Sequence, residues 1–199
     1  MERKPGRPRR NAEDSRKIRA EIATHALRLF REEGVAAVSM RRLAKEAGCA
    51  PMTLYAHFEG KIDVLQYLWA DVLDRVFQQI ADEIAMHTAP VGRLRAASVT
   101  FVQYWLTHPD HFRLVFMSNE VSRSDVKDFL TQGATRAGFS VFAELAGDAL
   151  TDASDAKTKT DALMAALIGI ALCANTIKDY GWAEPDQMVD RLIADMFGA

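Results

Sequence analysis

At 199 residues, with 49% hydrophobic and 26% charged side chains, 11 Gly and 6 Pro, the chain can bury a substantial core and is neither disordered nor fibrous. Its two cysteines, Cys49 and Cys173, exclude a disulfide framework and a cysteine zinc site, and no metal or other cofactor is expected. The net charge of −2 divides into +6 over residues 1–61 and −8 over residues 62–199, so the basic head is the part suited to a polyanion.

The N-terminus reads Met1-Glu2-Arg3-Lys4-Pro5 with no apolar stretch behind it. The longest uncharged apolar run, Ala162 to Ile177, is 16 residues and shorter than a membrane span. The expectation is a soluble, cytoplasmic protein without a membrane partner. Residues 1–14 form a basic arm. Within it, Gly6-Arg7-Pro8-Arg9-Arg10 resembles arms that place arginines in the narrow A·T minor groove, and a solubilising tail is the equal alternative.

Helical spacing dominates from there on. Ile18, Ile22, Ala26, Leu29 and Phe30 share one face, and Gly34 stands where a C-cap glycine belongs. Ser39 is placed to N-cap a second helix with Met40, Leu43, Ala44 and Ala47 inward, ending at Gly48. Pro51 starts a short third helix through His57, with Leu54 and Phe58 inward. A long amphipathic helix follows from Lys61 to about Ala85, then one from Pro90 broken at His108-Pro109, and a short one from Asp110 to about Met117. Helices are expected over about Ser124–Leu150, Lys159–Tyr180 and Pro185–Phe197, with Asp152–Lys159 a polar linker. The fold class is therefore all-α: about nine helices, with a small N-terminal domain over residues 15–60 and a helical body over 61–199.

The second helix, the Gly48-Cys49-Ala50 turn and the third helix have a helix-turn-helix arrangement, whose second helix offers its early side chains to the major groove. Thr53 suits a base or a phosphate, and Pro51 or Met52 a thymine methyl. Tyr55, His57 and Lys61 suit phosphates, and Arg41 a phosphate or a guanine.

The stretch from Val38 to Lys61, with Thr53-Leu54-Tyr55-Ala56-His57-Phe58-Glu59-Gly60-Lys61 as its core, strongly resembles the DNA-binding domain of TetR-family transcriptional regulators. The resemblance implies a homodimeric repressor that binds a palindromic double-stranded DNA operator and releases it when a small-molecule effector enters the body. It carries DNA contacts onto Ser39, Arg41, Pro51, Met52, Thr53, Tyr55, His57 and Lys61. Met52 stands where relatives commonly hold Gly, Pro or another small residue.

In the body, Trp69, Phe101, Tyr104, Trp105, Phe112 and Phe116, with Met117 and Asn175, are the candidates to line an apolar ligand cavity, beside further rings at Phe77, Phe129, Phe139 and Phe142. A packed core and hydrogen bonding within the bundle are the plainer readings of the same residues. Tyr104 to Phe116 is similar to a stretch in one broad subgroup of these regulators, but the subgroup's Trp-His-Gly pattern is replaced by Leu167-Ile168-Gly169-Ile170. His108 and His111 flank Asp110, where a helix-breaking turn capped by Asp110 is a cheaper reading than metal ligation. The helix from Ala162 to Ala174 is apolar all round and must be covered on both sides. Its small residues Ala162, Ala166, Gly169 and Cys173, with Leu192 and Met196 of the last helix, are the candidate dimer interface, a four-helix bundle across a two-fold axis. No nucleophile elbow, phosphate loop or paired-carboxylate metal motif is present, so no catalytic residues and no enzymatic role are expected; the alternative classes are an effector-independent architectural DNA binder and a helical-bundle enzyme.

Overall fold

The computed structural model describes residues 12–117, 133–150 and 152–198. Arg7, Arg9 and Arg10 of the basic arm, the start of the helix expected from Ser124 and its Phe129 lie outside the described residues. Among the described residues the structure is all-α, with nine α-helices and one 3-10 turn. In chain order the helices are α1 (Ala12–Ala37), α2 (Met40–Glu46), α3 (Pro51–Tyr55), α4 (Lys61–Ile84), α5 (Pro90–Thr107), α6 (Pro109–Phe116), α7 (Gly133–Ala149), α8 (Ala156–Thr176) and α9 (Pro185–Phe197). The chain divides into two compact units after Leu68, inside α4 rather than at its start.

In the first unit, α1 buries Ile22, Ala26, Leu29 and Phe30, the face its spacing indicates. It bends at Gly34, whose φ of +79° leaves the helical region. Ser39 caps α2, its hydroxyl accepting the backbone N–H of Arg42 at 3.2 Å. Gly48, at φ +65°, reverses the chain between α2 and α3; Cys49 N–H then closes back on Ala44 O at 3.0 Å. Leu43, Ala44, Leu54 and Phe58 meet in the core of this unit.

In the second unit α5 packs against α7, α8 and α9. Leu94, Phe101, Val102, Tyr104 and Trp105 make it the most buried helix of the bundle. The segment Asp152–Lys159, expected as a linker, is instead a 3-10 turn (Ala153–Asp155) running into the first turn of α8. Asp152 Oδ1 accepts Ser154 N–H at 2.9 Å, and Thr160 bonds back to Ala156 O at 2.7 Å, so polar side chains serve the helix start here. On α9 the expected single apolar stripe splits. Val189, Ile193 and Phe197 are buried, while Met188, Leu192 and Met196, one position away around the helix, are only half-buried.

One close approach locks α4 to α7. A Cβ on Gly138 would stand 2.1 Å from the ring of Phe77, which also meets Phe139 edge-on at 5.1 Å. Alanine is the better helix former, yet Gly138→Ala is expected to destabilise the protein by about 2 kcal/mol, because the ring has to leave its seat. Adding Phe77→Leu should recover part of that loss. Thermal melting of the single and double variants checks it, and an unchanged melting temperature for Gly138→Ala would remove the lock.

Candidate nucleic-acid interface

The third helix is short because Pro51 opens it and the chain turns inward after Tyr55. On its outer side Met52 is 82% and Tyr55 53% exposed, an unusual display of large apolar surface in a small unit. Pro51 is exposed and Thr53 half-buried. Beside them Ser39, Arg41, Arg42, Lys45, Cys49 and Pro51 line an open concavity between α2 and the start of α3. Ser39 and Arg41 are exposed there. The structure thus brings Ser39, Arg41, Pro51, Met52, Thr53 and Tyr55 to one region, where cationic side chains adjoin apolar ones.

Two further residues expected to contact DNA also have contacts within the unit. His57, expected among the exposed positions, lies beyond the end of α3 and is 9% exposed, with Ser15 Oγ 3.4 Å from its Nδ1. The turn that ends α3 carries His57 and Phe58 together into the core. Lys61, expected to hold a phosphate, directs its ammonium at the end of α1, donating to Val35 O at 2.9 Å and reaching Ala36 O at 3.5 Å. A cation at a helix C-terminus satisfies carbonyls that have no partner within the helix.

Sequence reading missed the residue that organises this turn. The guanidinium of Arg19 lies 4.4 Å from the Phe58 ring centroid and 5.0 Å from that of Tyr67. It donates to His57 O at 2.8 Å and to Asp63 Oδ1 at 3.3 Å. Asp63 Oδ2 accepts Glu59 N–H at 3.0 Å, which ties the start of α4 into the same knot. A second network joins α1 to α2. Arg28 pairs with Glu46, Glu46 with Arg42 at 2.7 Å, and Arg42 with Glu33 at 3.2 Å. The Arg28 hydrogen bond, reinforced by the charges of Arg28 and Arg42, holds the Glu46 carboxyl below its ordinary range.

In the second unit the expected ligand-lining rings pack on one another. Trp105 meets Phe101, Tyr104, Phe112 and Phe116 edge-on at centroid distances of 5.8, 5.1, 6.1 and 5.1 Å. Trp69, Phe101, Tyr104, Trp105 and Phe112 are all buried. Met117 departs from the expectation: it is 44% exposed at the end of α6. Asn175 is committed within the bundle, its Nδ2 donating to Trp105 O at 3.2 Å and to Ala171 O at 2.9 Å. Trp69 Nε1–H donates to Leu114 O at 2.8 Å. Tyr104 OH shares a hydrogen bond of 2.9 Å with His111 Nδ1, and burial pushes the Tyr104 phenol up to about 12. Burial, more than the neighbouring His108 and Arg75, pushes the His111 imidazole down. Asp110 is in the first turn of α6 rather than at its cap, paired with Arg113 at 3.3 Å. No group of three or more metal-ligating side chains occurs among the described residues. None of the described helices is long and apolar enough to cross a membrane.

Helix α8 buries Leu163, Leu167, Ile170 and Ala171 and turns another face outward. Ala162 is exposed, Leu172 is 40% exposed, and Ala166, Gly169 and Cys173 are half-buried. A Cβ on Gly169 would meet nothing within 4 Å.

Residues 22–68 match the bacterial regulatory proteins of the tetR family. Over 73 residues the chain is 41% identical to an HTH-type transcriptional regulator of Staphylococcus aureus (strain USA300), a match covering 35% of this chain and 40% of that relative. Over this N-terminal stretch the chain is similar to the tetR family and spans well under half the length of that relative. Among solved structures, the fatty acid degradation regulator FadR from Bacillus halodurans superposes with a TM-score of 0.73 at 16% identity, covering 91% of this chain and 95% of that one. A bacterial regulatory protein in the tetR family from Rhodococcus RHA1 superposes with a TM-score of 0.68 at 17% identity, covering 92% and 98%. At these identities the likeness concerns the fold, and it covers both units.

Arg19→Met retains the alkyl packing of the first unit but loses two hydrogen bonds and the ring contacts. It is expected to cost about 2 kcal/mol in chemical denaturation. Glu46 holds its proton less tightly when folded than when unfolded. Its ion pairs therefore stabilise the protein above the ordinary carboxylate range, and that contribution is lost as pH falls through the lowered value. Arg28→Gln should flatten the acid limb of stability against pH, which melting between pH 3 and 7 on the scale of carboxylate titration reads directly.

Proposed function

We propose that the protein is a homodimeric repressor that binds a palindromic operator through α2 and α3 and releases it when a small effector enters the second unit. The observation that carries this reading is the outward display of Met52 and Tyr55 beside the cationic concavity of α2. An exposed apolar helix edge next to Arg41 and Lys45 is costly in water, and it matches a major groove, which offers thymine methyls between two rows of phosphates. In this reading Arg41, Ser39 and Tyr55 hold the backbone, while Pro51, Met52 and Thr53 meet base edges.

A second copy covers the outward face of α8. Ala162, Ala166, Gly169 and Cys173 are small enough for close helix approach, and the half-buried Leu192 and Met196 of α9 extend the apolar surface. Two recognition helices related by a two-fold axis then reach successive major grooves about 34–36 Å apart. An effector relieves repression by binding better to a conformation with the wrong spacing. Helix α4, which begins in one unit and ends in the other, is the element able to carry that change.

The DNA arm is tested with a duplex from upstream of the protein's own coding sequence. Tyr55→Phe should weaken binding to all sequences alike, whereas Thr53→Ala should change the preference at one base pair. Equal affinity of wild type and an Arg41→Ala, Tyr55→Phe double variant at moderate salt would contradict the interface. The dimer arm uses Gly169→Arg. A side chain there enters open space in a single chain, so folding should survive while the dimer separates and operator affinity falls. A clean dimer by light scattering would move the interface elsewhere.

A further inference from the structure

We infer that the buried indole N–H of Trp105 is the polar anchor of the effector site, and that the effector is an uncharged, apolar molecule with a hydrogen-bond acceptor. This rests on the reading that the second unit receives an effector.

Trp105 is fully buried, and its Nε1–H has no hydrogen-bond partner among the described residues. Buried donors are nearly always paired, so an unpaired one marks a place where something else completes the structure. The neighbouring side-chain donors are committed. Trp69 N–H is taken by Leu114 O, and Asn175 Nδ2 by the carbonyls of Trp105 and Ala171. Of the four rings around the indole, those of Phe101, Tyr104, Phe112 and Phe116, only Tyr104 carries a polar atom, and its hydroxyl is engaged with His111.

That environment selects among occupants. A buried water needs two to four polar partners, and this shell of rings offers a single donor. A charged ligand would be stripped of water without a counter-charge among those rings. An apolar molecule with a carbonyl or ether oxygen replaces ring contacts with its own surface and accepts the one free proton. Phe116, half-buried at the end of α6 and 5.1 Å from the indole centroid, is the ring that moves aside to admit it.

The test uses the full chain labelled with nitrogen-15 in its tryptophan side chains. Trp105 is assigned by loss of its signal in Trp105→Phe or, should that variant not fold, by elimination through Trp69→Phe and Trp182→Phe. Acetophenone and ethylbenzene are near-identical in shape and differ in one acceptor; benzoate and 1-phenylethylammonium add charge of either sign. Acetophenone should move the Trp105 N–H signal downfield and bind about tenfold more tightly than ethylbenzene, while the two ions leave the signal in place. A signal unmoved by acetophenone, equal affinity for ethylbenzene, or a long-lived water on the Trp105 N–H would each overturn the inference. Binding to upstream DNA, followed in parallel without probe, tests the regulator reading separately, since the N–H response does not depend on it.

Discussion

The guanidinium of Arg19, lying against the rings of Phe58 and Tyr67, bonds the carbonyl of His57 and the carboxylate of Asp63 and so ties down the turn that ends the third helix. A planar cation with several fixed donors can stack on aromatic faces while bonding in its own plane, which a lysine cannot do. With His57 O anchored to α1, the chain must turn inward after Tyr55, burying His57 and Phe58. The same anchoring leaves Met52 and Tyr55 in solvent. Their exposure is therefore a consequence of how the turn is tied down, and the Arg28–Glu46–Arg42–Glu33 network fixes α2 beside it.

The helical unit beyond Leu68 solves a different problem. It has many rings to place, and it places them edge to face around Trp105 with nearly every polar tip satisfied. Gly138 provides the space in which Phe77 can sit, so packing there depends on the absence of one methyl group. Cores built this way have few alternative arrangements, and a molecule entering them has to displace a whole ring.

Much of this was legible in the sequence, and the exceptions share a cause. Local rules located Ser39 as a cap, Gly48 as the turn and Pro51, Pro90 and Pro185 as first-turn residues, since each depends only on near neighbours. The face of α1 followed from spacing alone. The burial of His57 and the contact of Lys61 with the end of α1 are not legible locally, because their chemistry fits a phosphate as well as it fits a buried turn or a helix end. The role of Arg19 is not legible locally, because its partners Phe58, Tyr67 and Asp63 are some forty residues away in sequence. The apolar stripe of α9 was legible as a stripe but not as a core edge and a half-buried edge, a distinction set by which neighbour it packs against. For Asp152–Lys159, polarity alone points to a loop, although a helix start can be wholly solvated.

The central claim is that the outer edge of α3 is the surface that meets DNA. Methionine methyl NMR on the full chain, labelled with carbon-13 at its eight methionines, tests it most directly. Met52 and Met86 are both strongly exposed, at 82% and 70%, and only Met52 lies on α3. On addition of a bound duplex from the upstream region, the Met52 methyl should shift and lose solvent contact while the Met86 methyl stays as it was. A duplex that binds while the Met52 methyl remains unmoved would contradict the account.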